Sequence, residues 1–412
     1  MKFKSNLLLA IVVAISGCQT TPLSLTKDVE VPVAPAKGLP SANSALPESE
    51  LEGLRQPRQS NHRFEMAFAG NFPGGAEFIS TASPLEYIDY LWGSKNRHPK
   101  GGLEVARKNN WRDQIKFYTL NGSRALPLST NITNPEDMCL HAAHVVVANF
   151  NDDAYDDAVI ACHGYDAQPF PGDHSYILLS NLDGSYSVQQ LTEEVGFYHG
   201  ASTLDLNSDG LSDIVLTDAS SGTLLGYLNQ GNGNFSQGQV VLRGLRSNYT
   251  VSAANLNNDR YADLIVGGHE EGEGSNNMPT TVFWNDGFGN FSNNNKTTLP
   301  PVPGYGIVLD YIQHSPYLFI VRTQSGRNFY QGGAIQQIDL ENFSQVDLIK
   351  RPKVRHPAKL QRVYSPSGKT VYGSLDCDRN SLDFIVSPEG ALSLVREIEQ
   401  ERLPSGCLSV TP

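Results

Sequence analysis

The chain has 412 residues, of which 18% are charged and 39% hydrophobic, and carries a formal net charge of −12. That acidic balance excludes a broad nucleic-acid surface, which needs clustered Lys and Arg. Beyond the first residues no stretch is apolar enough to supply the ~20 residues that span a bilayer.

Lys2 and Lys4 precede an unbroken apolar run from Leu7 to Ile15, which is too short to span a membrane and reads as an export address. The run ends on Ile15-Ser16-Gly17-Cys18, which resembles the lipobox of bacterial lipoproteins. The resemblance implies a signal peptide over 1–17, removed before Cys18, and acylation of that cysteine, with palmitate among the expected chains. Gln19, which is not Asp, then points to the outer membrane, and more than one acyl chain gives stable anchoring. A plain secretory signal with a chance cysteine is the alternative. Residues 18–60 read as a tether, because Pro22, Pro32, Pro35, Pro40, Pro47 and Pro57 sit among small and polar residues without apolar periodicity.

The body, 61–412, reads as repeated units of four strands. A degenerate first unit has strands at Phe64–Phe72, Glu77–Ser80, Ile115–Asn121 and Ala125–Ser129, interrupted by an insertion from Pro84 to Gln114 rich in Tyr, Trp, Lys and Arg. The second has strands at His144–Phe150, Asp157–His163, Ser175–Asn181 and Tyr186–Leu191. The third and fourth repeat it, with turns at Asn229-Gln230-Gly231-Asn232-Gly233-Asn234 and Asn285-Asp286-Gly287-Phe288-Gly289-Asn290. Each turn ends on an aromatic, Phe235 or Phe291, that anchors the next strand. A fifth unit begins at Ile307–Tyr311, turns at Gln313–Pro316 and resumes at Tyr317–Arg322. A sixth runs from Lys359 through a turn at Ser365–Gly368 to Glu397. Four antiparallel strands in about 50 residues is a blade, so the fold class is all-β, a β-propeller of six units, with seven left open and an open solenoid as the alternative. Tail residues after Cys407 can complete the first blade.

One stretch recurs three times, starting at 149, 205 and 255, in steps of 56 and 50 residues. Side-chain oxygens fall at positions 1, 3, 5 and 9, and the turn brings the carbonyl of position 7 inward, a pattern suited to a hard cation such as Ca²⁺. Position 2 is apolar each time (Phe150, Leu206, Leu256) and can pin the loop to a core. The competing reading is an ordinary Asn/Asp turn between strands.

The stretch Asp205-Leu206-Asn207-Ser208-Asp209-Gly210-Leu211-Ser212-Asp213, with the turn ending on Phe235, resembles the FG-GAP/VCBS repeat family. The family's fold is a β-propeller like the head of integrin α chains. The resemblance is strong over roughly residues 140 to 300 and faint elsewhere. It implies calcium ligands at Asp205, Asn207, Asp209, Asp213 and the carbonyl of Leu211. The matching sets are Asn149, Asn151, Asp153, Tyr155 and Asp157, and Asn255, Asn257, Asp259, Tyr261 and Asp263. Asn149 and Asn255 replace the usual first Asp, and Ala154 and Arg260 stand where Gly is usual, so the 205 loop is the strongest expected site.

With Cys18 lipidated, four cysteines remain, and the pairs Cys139/Cys162 and Cys377/Cys407 are one of three connectivities open to an exported protein. Free buried thiols are the alternative. If the cation loops join the first and second strands of a blade, the other ends of those strands share the opposite face. His141, His144, His163, His199, Asp218 and His269 fall there, with Tyr198 and Tyr249, and acids follow at Asp166, Glu270, Glu271 and Glu273. Such a face can hold a ligand or a transition metal, or do acid–base work on a sugar acid. Ordinary polar rim residues bonded locally are the competing explanation. Nucleophile elbows, phosphate-cradling glycine loops and helical zinc motifs do not occur.

Two functions follow as expectations. One is a membrane-anchored, calcium-stabilised module binding a protein or glycan at the bacterial cell envelope, with no nucleic-acid partner. The other is a carbohydrate-active lyase or hydrolase using the His-rich face, a reading that histidines converging on one rim would favour.

Overall fold

The computed structural model describes residues 62–84, 86–87, 102–121, 124–133, 138–167, 170–271, 277–326 and 331–355, and five short strands beyond them. The signal segment, Cys18, the tether, Glu273, the Ser365–Gly368 turn, Cys377 and Cys407 lie outside the described residues.

The strands sort into six antiparallel sheets in chain order. The first contains β1 (His62–Phe72), β2 (Ala76–Pro84), β3 (Gln114–Asn121) and β4 (Arg124–Leu128), and between β2 and β3 lies helix α1 (Gly102–Lys108). After a short strand β5 (Asn131–Thr133), the second sheet contains β6 (Ala142–Ala148), β7 (Asp157–Cys162), β8 (Tyr176–Ser180) and β9 (Ser185–Gln190). The third is β10 (Tyr198–Leu204), β11 (Asp213–Asp218), β12 (Thr223–Tyr227) and β13 (Gln239–Arg243). The fourth is β14 (Asn248–Ala254), β15 (Asp263–Gly268), β16 (Thr281–Phe283) and β17 (Lys296–Thr298). The fifth is β18 (Ile307–His314), β19 (Tyr317–Thr323), β20 (Gln331–Asp339) and β21 (Gln345–Arg355). The sixth is β22 (Gln361–Val363), β23 (Thr370–Gly373), β24 (Phe384–Val386) and β25 (Leu392–Leu394), and a last strand β26 (Ser409–Val410) follows.

Two strands leave the simple meander. β5 pairs in parallel with β9 on the outer edge of the second sheet, and β26 pairs in parallel with β4 on the outer edge of the first. In both cases the segment after one sheet's outer strand covers the outer edge of another. That second sheet is the next one for β5. β26, which follows the sixth sheet, does the same for the first. The first strands β1, β6, β10, β14 and β18 adjoin one another in that order, the arrangement of strands around a common axis.

Core packing explains why the second strand of each central blade reads as a continuous apolar run. β7, β11 and β15 are buried at every residue. Successive side chains point to opposite faces, so each strand serves two cores. Ala158 and Ile160 pack with Ile79 and Phe117 of the first blade, whereas Val159 and Ala161 pack with Ile214 and Leu216 of the third. Val215 meets Leu264 and Val266, and Ile265 meets Leu318 and Ile320. Each fully buried aliphatic side chain contributes about 1.5–3 kcal/mol, so the sheets are held face to face by these strands.

Candidate functional site

Two ends of the central blades carry distinct chemistry. The β6–β7, β10–β11 and β14–β15 ladders run from Ala148–Asp157, Leu204–Asp213 and Ala254–Asp263 at one end to Ala142–Cys162, Tyr198–Asp218 and Asn248–Gly268 at the other. The three Asn/Asp loops therefore sit at the first end, and His141, His163, His199 and His269 sit at the second.

The loops share one hydrogen-bond pattern. At position 9, one oxygen of Asp157, Asp213 and Asp263 accepts the amide of position 2 (Phe150, Leu206 or Leu256). The other oxygen accepts the amide of Ser180, Asn229 or Asn285 at the end of the third strand. At position 5, Asp153, Asp209 and Asp259 accept the amides of Tyr155, Leu211 and Tyr261. Position 4 is left-handed each time, with φ of 58°, 62° and 63° at Asp152, Ser208 and Asn258. At position 6, Gly210 and Arg260 are left-handed too (φ 88° and 79°), whereas Ala154 is not, so the first loop closes differently from the other two.

The donor set suits a hard cation. Asn149 Oδ1, at position 1 of the first loop, is buried with no hydrogen-bond partner among the described residues, as befits an oxygen kept for an ion. Burial raises Asp157 to about 6 and raises Asp213 and Asp263 above the usual carboxylate range. Among the described residues none of these three acids has a Lys or Arg partner, and a nearby cation would favour their ionised form. Asn149, Asn151, Asp153, Tyr155 and Asp157, with their counterparts at 205–213 and 255–263, are the residues that would hold calcium.

At the opposite end the histidines form a chain of ring contacts across three blades and the insertion. Tyr87 of the insertion meets His141 (5.6 Å between centroids), His141 meets His163 (4.1 Å) and His163 stacks on His199 (5.3 Å). His199 then meets Tyr249 (5.2 Å) and Tyr249 meets His269 (4.5 Å). Phe197 stacks on His163 at 4.7 Å, and Phe170, 42% exposed, packs edge-on against Phe197. His163 and His269 are buried, and His199 and Tyr249 are half-exposed.

The local chain is held tightly. His141 and His163 are joined through backbone, the amide of His163 donating to the carbonyl of His141. A disulfide links Cys139 to Cys162, just before both histidines. The buried Asp113 carboxylate accepts the amides of His141 and Ala142 and the Ser83 hydroxyl, and burial raises it to about 6. Asp173 accepts the amide of Leu140. Tyr87, Trp111, Ala106, Leu140 and Tyr165 pack together and fasten the insertion over the second blade.

The other residues expected on this face part from the cluster. His144 lies within β6, its Nδ1 accepting the amide of Ala201 in the third blade. The Asp218 carboxylate takes the amides of Phe197 and Ser220 and the hydroxyls of Ser220 and Ser221. Glu270 and Glu271 turn to the fifth blade: Glu270 meets the fully buried Arg322 at 2.8 Å, and Glu271 accepts from Gly304 and Ser325. Of the acids noted after the strands, Asp166 is the one among the described residues that joins the histidines. Asp113, Tyr87 and Arg322 were not singled out in the sequence. The signal for Arg322 was a lone charge inside the apolar strand Tyr317–Thr323.

The sheet order and the adjoining first strands define a β-propeller of four-stranded antiparallel blades, with six sheets among the described residues. Residues 205–266 match the FG-GAP-like repeat family, so this is a propeller carrying FG-GAP-type repeats, the framework of a binding or scaffold module. No curated protein matches the chain. Among solved structures, a Lactobacillus plantarum protein is similar at 12% identity, over 79% of this chain and 83% of its own, with a TM-score of 0.48. The Dos1 propeller is similar at 8% identity, over 79% and 71%, with a TM-score of 0.41. An Agrocybe aegerita lectin described as recognising non-reducing terminal N-acetylglucosamine is similar at 12% identity, over 69% and 79%, with a TM-score of 0.34.

Proposed function

We propose that the protein is a membrane-anchored, calcium-stabilised propeller that binds a protein or glycan at the bacterial cell envelope. The observation that carries the binding face is the run of rings from Tyr87 to His269, with half-exposed His199 and Tyr249 and exposed Phe170 available to a ligand. Aromatic faces beside imidazole nitrogens offer stacking area together with directional polar contacts, the usual make-up of a specific site. The calcium loops brace the other end. Cys18 supplies the anchor and 18–60 the tether; among the described residues no helix is long and apolar enough to cross a membrane. A protein and glycan binding screen on the purified protein, with calcium and with EDTA, tests this. Binding weakened at least tenfold by Tyr249→Ala supports it, and a screen without hits under either condition removes it.

The enzyme reading keeps one specific support: four of the five histidines expected on the rim meet there, and burial lowers His163 to about 4, so it is a neutral base at ordinary pH. Polysaccharide turnover lost in a His163/His269 double variant would favour an enzyme over a binder.

A further inference from the structure

We propose that His141, His163 and Asp166 form a site for one divalent transition-metal ion of the zinc class, set in the binding face described above and resting on that reading for its role. One donor atom from each residue lies within 4.8 Å of the other two. Tetrahedral zinc with nitrogen and oxygen donors separates them by about 3.4 Å, so the cluster has to close by at most about 1.4 Å. Two imidazoles and one carboxylate suit zinc, cobalt, nickel or iron, and are a poor set for calcium or magnesium, which take oxygen.

The His163 tautomer favours coordination. His163 Nδ1 lies 3.1 Å from the Gly164 carbonyl, which can only accept, so Nδ1 carries the proton and Nε2 keeps its lone pair. His141 turns Nδ1 to the Tyr87 hydroxyl at 3.4 Å, and that oxygen also accepts the amide of Asp166. Tyr87 thus contacts the His141 ring and the backbone of Asp166, the kind of outer hydrogen bonding that orients ligands in metal sites.

The backbone is shaped for the site at some cost. His141 adopts φ of 66°, a left-handed conformation that costs a residue with a side chain about 1–2 kcal/mol. Gly164 is left-handed as well, and a side chain there would strike the Gly172 carbonyl. The Cys139–Cys162 disulfide and the Asp113 carboxylate keep His141 in this strained place. Strain held by its surroundings marks sites with a task. Three protein donors leave a coordination position open, and His199, stacked on His163, ties the cluster to the half-exposed Tyr249, so a ligand oxygen from the bound partner completes the shell.

The test is a Co²⁺ and Zn²⁺ titration of the full protein, stripped of transition metals and kept in excess calcium. Co²⁺ is read by visible absorption and Zn²⁺ by competition. The expected result is one equivalent bound, with affinity at least tenfold weaker in His163→Ala and in Asp166→Asn and unchanged in His174→Ala. Asp166 is only partly buried, so its variant reports even if His163→Ala fails to fold. Absent cobalt absorption, or equal affinity in Asp166→Asn, overturns the site. Glycan or protein binding that persists without transition metal also overturns the metal's role while leaving the binding face intact; metal binding with an empty ligand screen does the reverse.

Discussion

The amide of Gly233 in the third blade donates to the carbonyl of Phe150 in the second at 3.1 Å, and Asn229 Nδ2 reaches the same oxygen at 2.9 Å. The Phe150 ring meets Phe235 at 5.6 Å. The turn of one blade thus grips the apolar residue of its neighbour's loop. One blade further on, Gly289 lies against the Leu206 carbonyl, too close to admit a Cβ. Any ion that orders a loop should therefore stiffen the joint between two blades.

Gly289→Ala should destabilise the protein by about 2 kcal/mol or more, since it adds a backbone clash to a φ of 79°. Gly231→Ala, at φ of 86° with open space around it, should cost only about 1 kcal/mol. Denaturant unfolding of the two variants separates the clash from the dihedral cost.

Calcium should raise the melting temperature progressively, stabilising the fold by about 2.7 kcal/mol per site at a hundredfold excess over Kd and by more at higher excess, with affinities around 10⁻⁴–10⁻³ M. Asp213→Ala should remove one of the three sites by calorimetry. A melting curve indifferent to EDTA would count against occupied loops. Arg260→Gly should stabilise the third loop by about 1 kcal/mol, because Arg260 occupies a left-handed conformation that its Cβ resists.

Arg322, fully buried, and Glu270, nearly so, join the fifth blade to the fourth, and Arg322 Nε also donates to Gln336. Removing one partner leaves a buried charge. Arg322→Leu should therefore cost about 3–5 kcal/mol, and adding Glu270→Gln should recover part of that loss in a double-mutant cycle.

Alkali should unfold the protein sharply. Burial, reinforced by Asp218, raises Tyr198 to about 12, and burial raises Tyr227 and Tyr311 further. A phenol raised in the folded state contributes stability that is complete below its unfolded value near 10 and is lost as pH climbs through the folded value. Tyrosinate absorbance and circular dichroism should change together above about pH 10.

Much of the architecture was legible because local chemistry and global fold agree. The Asn/Asp spacing at 149, 205 and 255 marked three hairpins, and runs such as Asp157–Cys162 marked strands covered on both faces. The expected first strand at His144–Phe150 is observed at Ala142–Ala148, because the Asn/Asp loop takes Asn149 and Phe150 for its own hydrogen bonds. β5 is not legible because three residues of mixed polarity carry no period, and α1 because its seven residues are too few for a helical stripe. The rim histidines could be placed on one face from strand direction alone. Their contact with Tyr87 and Asp113 depends on how the insertion folds back, which no local pattern encodes.

The pairing of Ser409 and Val410 with Arg124 and Ala125 bears on how the molecule is made. On the ribosome the opening sheet must wait, its outermost backbone groups unpaired, until the residues that follow the sixth sheet emerge. During that interval the exposed edge invites strands from other chains, so late clasping guards against aggregation.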